Sequence, residues 1–160
     1  MPLTRLYLFF GFIYSLVIKR KIPGVLVVIY RIEKGNVEYL LLRSKHYATS
    51  FHFPSGVQGV FEKSEETAKR EVHEETGLPL TNLQQTPFVH EFKYPYLPFK
   101  PYCQQNVFIS QLTGNQKIQL PKDEIHAYSW GQVKEVVEKI HFDSLKDVFT
   151  KVDAYIATKL

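Results

Sequence analysis

The chain has 160 residues, a length that fits one domain and buries enough surface to need neither a disulfide nor a structural metal. Hydrophobic residues make up 44% and charged residues 22%, which excludes wholesale disorder and a fibrous chain. With 20 Lys and Arg against 16 Asp and Glu, the net charge of +4 suits phosphate-bearing ligands without marking a nucleic-acid binder, and the single cysteine, Cys103, excludes an intrachain disulfide and fits a reducing, cytoplasmic setting.

Thirteen uncharged residues, Leu6 to Ile18, lie between Arg5 and Lys19-Arg20-Lys21. The run is shorter than the roughly 17–25 residues of a membrane-crossing helix, and no small-x-small cleavage site follows it. Residues 1–21 therefore read as an apolar and basic extension to a domain formed by residues 22–160. The first reading docks residues 6–18 on that domain as a strand or helix, in a monomer or at a homodimer contact. The second gives them weak contact with an anionic membrane surface.

Gly24 to Arg31 is rich in β-branched residues and predicts a buried strand. Val37 to Arg43 predicts a second, reached through a Lys34-Gly35-Asn36 turn. Phe51 to Gly56 is a short extended entry into a glycine-containing loop. Ser64 is the expected cap of a helix that starts with Glu65 and Glu66 and stops at Gly77. Thr86 to Tyr94 and Gln105 to Leu112 predict a further pair of strands, separated by Tyr94 to Tyr102, where three prolines prevent regular structure. Ala127 to Trp130 is a short strand that sends Tyr128 and Trp130 to one face, as core. Val133, Val136, Val137 and Ile140 follow helical spacing, as do Leu145, Val148, Phe149, Val152 and Ile156. The pattern is α+β, with a mixed sheet sandwiched between helices.

On the helix after Ser64, Glu71, Glu74 and Glu75 stand at i, i+3 and i+4 and crowd one face. Like charges at i, i+4 cost about 0.2–0.5 kcal/mol per pair on an exposed helix. Lys69 and Arg70 partly neutralise such a face, so a solvated charged helix is one reading. A site for a hard divalent cation is the other, because such ions seek clustered oxygens.

The wider spacing runs Gly56, five residues, Glu62, seven residues, Arg70-Glu71-Val72, one residue, Glu74-Glu75, one residue, Gly77-Leu78. It resembles the complete Nudix box, the signature of hydrolases that cleave nucleoside diphosphates linked to another moiety. Seven fixed identities and two apolar positions arise by chance on the order of once in a billion start positions. The strand order extends a weaker resemblance, to the Nudix α/β/α sandwich, over residues 22–157.

The resemblance implies a loop–helix–loop that binds Mg²⁺, or Mn²⁺ in its place, against a diphosphate. Carried onto matching positions, it makes Glu71, Glu74, Glu75 and the Gly56 carbonyl the metal ligands. Glu71 or Glu74 doubles as the base, and Glu62 with Arg70 ties the loop to the helix. The segment Glu124 to Trp130 is similar to an E-x-x-x-Y-x-W stretch in several members, which makes Glu124 a metal ligand, a base or a surface acid beside Asp123. Phe51 and Phe53 lie near where members hold the head group. Tyr94 and Lys100 offer an aromatic and a cation to a substrate, or form an exposed loop. Three positions depart from the common pattern: Ser55 replaces a glycine, Gly59 an acid and Phe61 a glycine. They bear on the loop and the substrate rather than on the carboxylates.

The expected activity is Mg²⁺-dependent pyrophosphatase action on a small nucleotide-like substrate, a nucleoside triphosphate or dihydroneopterin triphosphate. Diadenosine polyphosphate hydrolysis comes next. RNA 5′-end pyrophosphohydrolysis follows, disfavoured because arginines are few (Arg5, Arg20, Arg31, Arg43, Arg70), so no nucleic-acid partner is expected. A non-catalytic Nudix-fold binding module comes last, since every box glutamate is present.

Overall fold

The structure, a computed structural model, describes residues 21–45, 50–93, 101–114, 116–121 and 125–160. The apolar run 6–18 and the sequence Tyr94 to Lys100 fall outside them. In chain order the elements are β1 (Ile22–Glu33), β2 (Asn36–Ser44), β3 (Phe51–His52), β4 (Ser55–Val57), α1 (Ser64–Thr76), β5 (Gln84–Lys93), β6 (Tyr102–Gln111), β7 (Ile125–Gly131), α2 (Val133–Lys139) and α3 (Asp143–Ala157).

β1 and β2 form a hairpin closed by Lys34 and Gly35, both at positive φ, 51° and 81°. Two left-handed residues make the tight turn whose twist matches antiparallel strands. β1 also runs parallel to β6 along its length, from Ile22 opposite Cys103 to Tyr30 opposite Gln111. Beyond the hairpin β1 and β2 splay apart, and the chain threads the gap between them. β3 pairs with the far end of β2 and β4 with the near end of β1. β7 lies on the outer edge of β2 and β5 on the outer edge of β6.

Alternation along β1 builds two cores. Val25, Val27 and Ile29 face α1, where Ala68 and Val72 pack with Leu40, Leu42 and Phe108. Leu26, Val28 and Tyr30 face the other way, onto Val148, Phe149, Val152 and Ile156 of α3. The mixed sheet thus lies between helices, as the sequence predicts. A strand covered on both faces needs apolar residues at every position, which explains why β1 reads as an unbroken run. Cys103 is buried and its thiol is pushed up to about 12 by desolvation. Tyr128 departs from expectation: it is 46% exposed, while Trp130 packs on the core and carries the Arg31 guanidinium 4.4 Å from its ring centroid.

Among the described residues no helix is long and apolar enough to cross a membrane. His90 on β5 is buried, with Nδ1 2.9 Å from Gln105 Oε1 and Nε2 3.1 Å from Ser144 Oγ at the start of α3. Burial holds its pKa below the ordinary 6.5, and that of His52 likewise. Unfolding restores both to the ordinary value, so the unfolded chain takes up more protons on acidification. The contribution of these two histidines is full above about pH 6.5 and is lost as pH drops below it, while the raised Glu71 carboxyl acts in the opposite sense. Melting midpoints of His90→Gln and wild type measured across that range should therefore diverge, the variant losing less stability on acidification.

Candidate active site

Helix α1 is fixed to the sheet by Ala68 and Val72, which turns Arg70, Glu71, Glu74 and Glu75 toward the threaded loop. The helix cap differs from expectation. Lys63 is the N-cap, and Glu66 reaches back to accept its backbone N–H at 2.9 Å. Ser64 is the first helical residue, and its hydroxyl donates to Gln58 Oε1 at 3.0 Å and accepts from Asn106 Nδ2 at 2.9 Å. Gly77 closes the helix at φ 70°, as expected.

The β1–β4 pairing sets Gly56 opposite Val25. Backbone and carboxylate meet closely there: a Cβ on Gly56 would fall 1.9 Å from Glu71 Cδ, and a Cβ on Gly24 would fall 2.7 Å from the Gly56 carbonyl oxygen. Glu71 is buried, and desolvation pushes its pKa up to about 7; Arg70 opposes the rise and Glu74 adds to it.

Arg70 is the hub. Its Nε and Nη2 donate to Glu62 Oε1 at 2.7 Å and Oε2 at 2.9 Å, a bidentate pair. Its Nη1 donates to Glu71 Oε1 at 2.7 Å and reaches Glu74 Oε2 at 3.4 Å. Its Nη2 also reaches the Val57 carbonyl at 3.3 Å. Glu62 accepts further from the Gly59 N–H at 3.0 Å and the Thr67 hydroxyl at 2.9 Å. The hydrogen bonds from Arg70, first among these contacts, hold the Glu62 carboxyl down at about 2. Ser55 N–H donates to Glu75 Oε2 at 3.2 Å.

A family model for the NUDIX domain matches residues 20–152. The chain belongs to the Nudix family. Its fold is that of hydrolases acting on pyrophosphate bonds. Solved Nudix structures share this fold at low identity. A Caenorhabditis elegans Ap4A hydrolase binary complex gives a TM-score of 0.76 at 18% identity, covering 86% of this chain and 98% of that one. The Escherichia coli dihydroneopterin triphosphate pyrophosphohydrolase gives 0.68 at 22%, covering 78% and 90%. The Nudix domain of Shewanella oneidensis NrtR, complexed with ADP ribose, gives 0.68 at 14%, covering 88% and 92%. No curated protein sequence matches the chain.

Among the described residues, no three His, Cys, Asp or Glu side chains converge on a ready metal centre. Glu71 faces Arg70 and Gly56, Glu75 faces Ser55, and Glu74 is exposed. The donor chemistry nonetheless fits a hard divalent cation. The expected ligands, Glu71, Glu74, Glu75 and the Gly56 carbonyl, are all oxygen donors, and one of them is the Glu71 carboxylate, whose charged form burial and the Glu74 charge disfavour and a cation would favour.

The other expected residues separate. Phe53 is fully buried, its ring 5.1 Å from that of Phe149, so it is core and presents no face to a ligand. Phe51 is half-buried, with Arg43 5.7 Å and Lys139 5.5 Å from its ring centroid. Tyr94, Lys100 and Glu124 lie outside the described residues. The sequence reading missed Arg43 and Lys139 as a basic pair around Phe51. Among the described residues Arg43 Nε is buried without a hydrogen-bond partner, while Lys139 Nζ donates to Ser129 Oγ at 2.7 Å. Their signal lay in the register Arg43 opposite Phe51, which exists only once β3 pairs with β2.

Proposed function

We propose that this Nudix protein is a Mg²⁺-dependent pyrophosphohydrolase, accepting Mn²⁺ in its place, that cleaves a diphosphate linkage in a nucleoside triphosphate or dihydroneopterin triphosphate. The observation that carries this is the Glu71 carboxylate, buried against Gly56 and Arg70 on the same helical turn as Glu74 and Glu75. Glu71, Glu74, Glu75 and the Gly56 carbonyl would hold the ion, with Glu124 a further candidate. Bound there, Mg²⁺ would neutralise phosphate oxygens and acidify the attacking water.

The chain's own residues supply the rest. Glu62 and Arg70 fix the loop so that Gly56 stays against Glu71. Glu71 or Glu74 is the candidate base that takes the proton from the attacking water. Phe51, with Arg43 and Lys139 beside it, is a candidate contact for the aromatic head group.

Phosphate release from nucleoside triphosphates, dihydroneopterin triphosphate, dinucleoside polyphosphates and 5′-triphosphate RNA, with and without Mg²⁺, tests this. Glu74→Gln should lower turnover about 10²–10⁴-fold with the circular dichroism spectrum unchanged. Intact Mg²⁺-dependent hydrolysis in both Glu74→Gln and Glu75→Gln would refute the ligand assignment. Diadenosine polyphosphate hydrolysis is the second reading, supported by the fold shared with the C. elegans Ap4A hydrolase. Turnover of no substrate at all would leave a ligand-binding module.

A further inference from the structure

We propose that Asn106 on β6 is a positioning residue for the box loop, acting through Ser64 and Gln58 on the turn that carries Glu62. The side chains of Asn106, Ser64 and Gln58 belong to half-buried residues and form one chain of hydrogen bonds. Asn106 Nδ2 donates to Ser64 Oγ at 2.9 Å, Ser64 Oγ donates to Gln58 Oε1 at 3.0 Å, and Gln58 Nε2 donates to the Glu62 carbonyl at 2.5 Å. The direction of every bond is forced from the Glu62 end. A carbonyl only accepts, so Gln58 must turn its amide nitrogen to Glu62 and its amide oxygen to Ser64. The Ser64 hydroxyl gives its one proton to that oxygen and can then only accept from position 106. That position therefore needs a donor, and a carboxylate of the same shape would face the Ser64 oxygen with none.

The strand register explains why the relay starts on β6. Val25 lies opposite Gly56 on one side and opposite Asn106 on the other, so Gly56, Val25 and Asn106 form one row across three strands. Two inter-strand steps, roughly 10 Å, separate the ends of that row. On α1, Ser64 and Glu71 are seven residues apart, about 10.5 Å along the helix axis. The two lengths match, so α1 is held to the row at two points: Ser64 by Asn106, and Glu71 by its close approach to Gly56. Asn106 turns to this face because it alternates with Phe108, which packs with Ala68 and Val72. Glu62 is likewise held twice. Arg70 fixes its side chain and is itself bonded to Glu71, while the relay fixes its backbone carbonyl. Without Asn106, the loop keeps the Arg70 anchor but loses the hold that sets Gln58 to Glu62 against the start of the helix.

The inference rests on the hydrolase reading only for its turnover measurement; amide hydrogen exchange of the full chain judges it without substrate. Asn106→Asp and Asn106→Leu keep the shape and remove the donor, and Ser64→Ala removes the link. In each, deuterium uptake across residues 57–63 should be about tenfold faster while β1 and β2 exchange as in wild type. On the substrate that wild type hydrolyses, kcat should fall about tenfold and KM stay within about twofold. Asn106→Leu combined with Ser64→Ala should be no worse than either alone, because both break the same relay. Ser64→Thr keeps a hydroxyl and should exchange as wild type does. Wild-type exchange across 57–63 in both Asn106 variants would overturn the proposal. So would faster exchange spread evenly over the sheet, which would make Asn106 a general stabiliser, or a raised KM at constant kcat, which would place Asn106 on the substrate itself. Faster exchange across 57–63 alone, in variants of a wild type that hydrolyses nothing, would uphold the relay and refute the hydrolase reading.

Discussion

Gly56→Ala should lower turnover about a hundredfold and reduce the melting temperature of the chain. The added Cβ would stand 1.9 Å from Glu71 Cδ and 2.0 and 2.5 Å from its two oxygens, so either the loop or the carboxylate must move. The loop has little freedom. Gly56 is paired with Val25, and its carbonyl already lies so close to Gly24 that a Cβ there would be 2.7 Å away. The carboxylate must therefore leave the position that Arg70 Nη1 fixes at 2.7 Å. Overpacking of this kind costs about 1–3 kcal/mol, and a displacement near 1 Å of a reacting group costs about 10² in rate. Gly59→Ala is the control. The atoms nearest its Cβ would belong to the Glu62 side chain, at 3.0 Å and beyond, so it should cost much less. Adding Glu71→Asp to Gly56→Ala withdraws the carboxylate by one methylene and should recover stability without recovering turnover. Wild-type turnover in Gly56→Ala would show that the Glu71 position does not matter to the reaction.

The contact between Gly56 and Glu71 shows where sequence reading reaches its end. Spacing places Glu71, Glu74 and Glu75 along one face, because a helix repeats every three to four residues. It also makes Gly56 and Glu71 members of one motif. It does not show that the backbone of one touches the carboxylate of the other, since that depends on β4 entering the gap between β1 and β2. The Arg70–Glu71 bond was hidden for a different reason. Adjacent helical residues point about 100° apart, so only the length of the guanidinium lets Arg70 curl from Glu62 to its own neighbour. The cap was legible and misassigned. Glu66 stands three residues after Lys63, the capping-box interval, while the preference for a serine cap pointed one residue too far. Phe51 and Phe53, two apart in an extended segment, reach the same core, Phe51 at its margin and Phe53 inside it, and that burial was set by Phe149 on a helix nearly a hundred positions later.

Arg70→Met should destabilise the fold by about 2 kcal/mol, the second large effect expected. The figure sits below that of a fully buried pair because the Arg70 and Glu62 side chains keep 32% and 28% of their exposure. Methionine keeps the stem's packing but strips Glu62 of its bidentate partner and leaves the buried Glu71 carboxylate without its hydrogen bond. Combining it with Glu62→Gln in a double-mutant cycle should give a coupling energy of about 1–3 kcal/mol. The pH dependence separates this from a general loosening. The Glu62 carboxyl titrates at about 2 in the folded chain against 4.5 ordinarily, so its stabilisation is complete above the ordinary value and is lost as pH falls toward the folded one. Wild type should weaken through that acid range, and Arg70→Met should lack that part of the loss. A variant whose stability curve stays parallel to wild type across the range would mean that Arg70 supports the loop by packing alone. Its guanidinium would then no longer explain why the box glutamate and the helix glutamate are held as one unit.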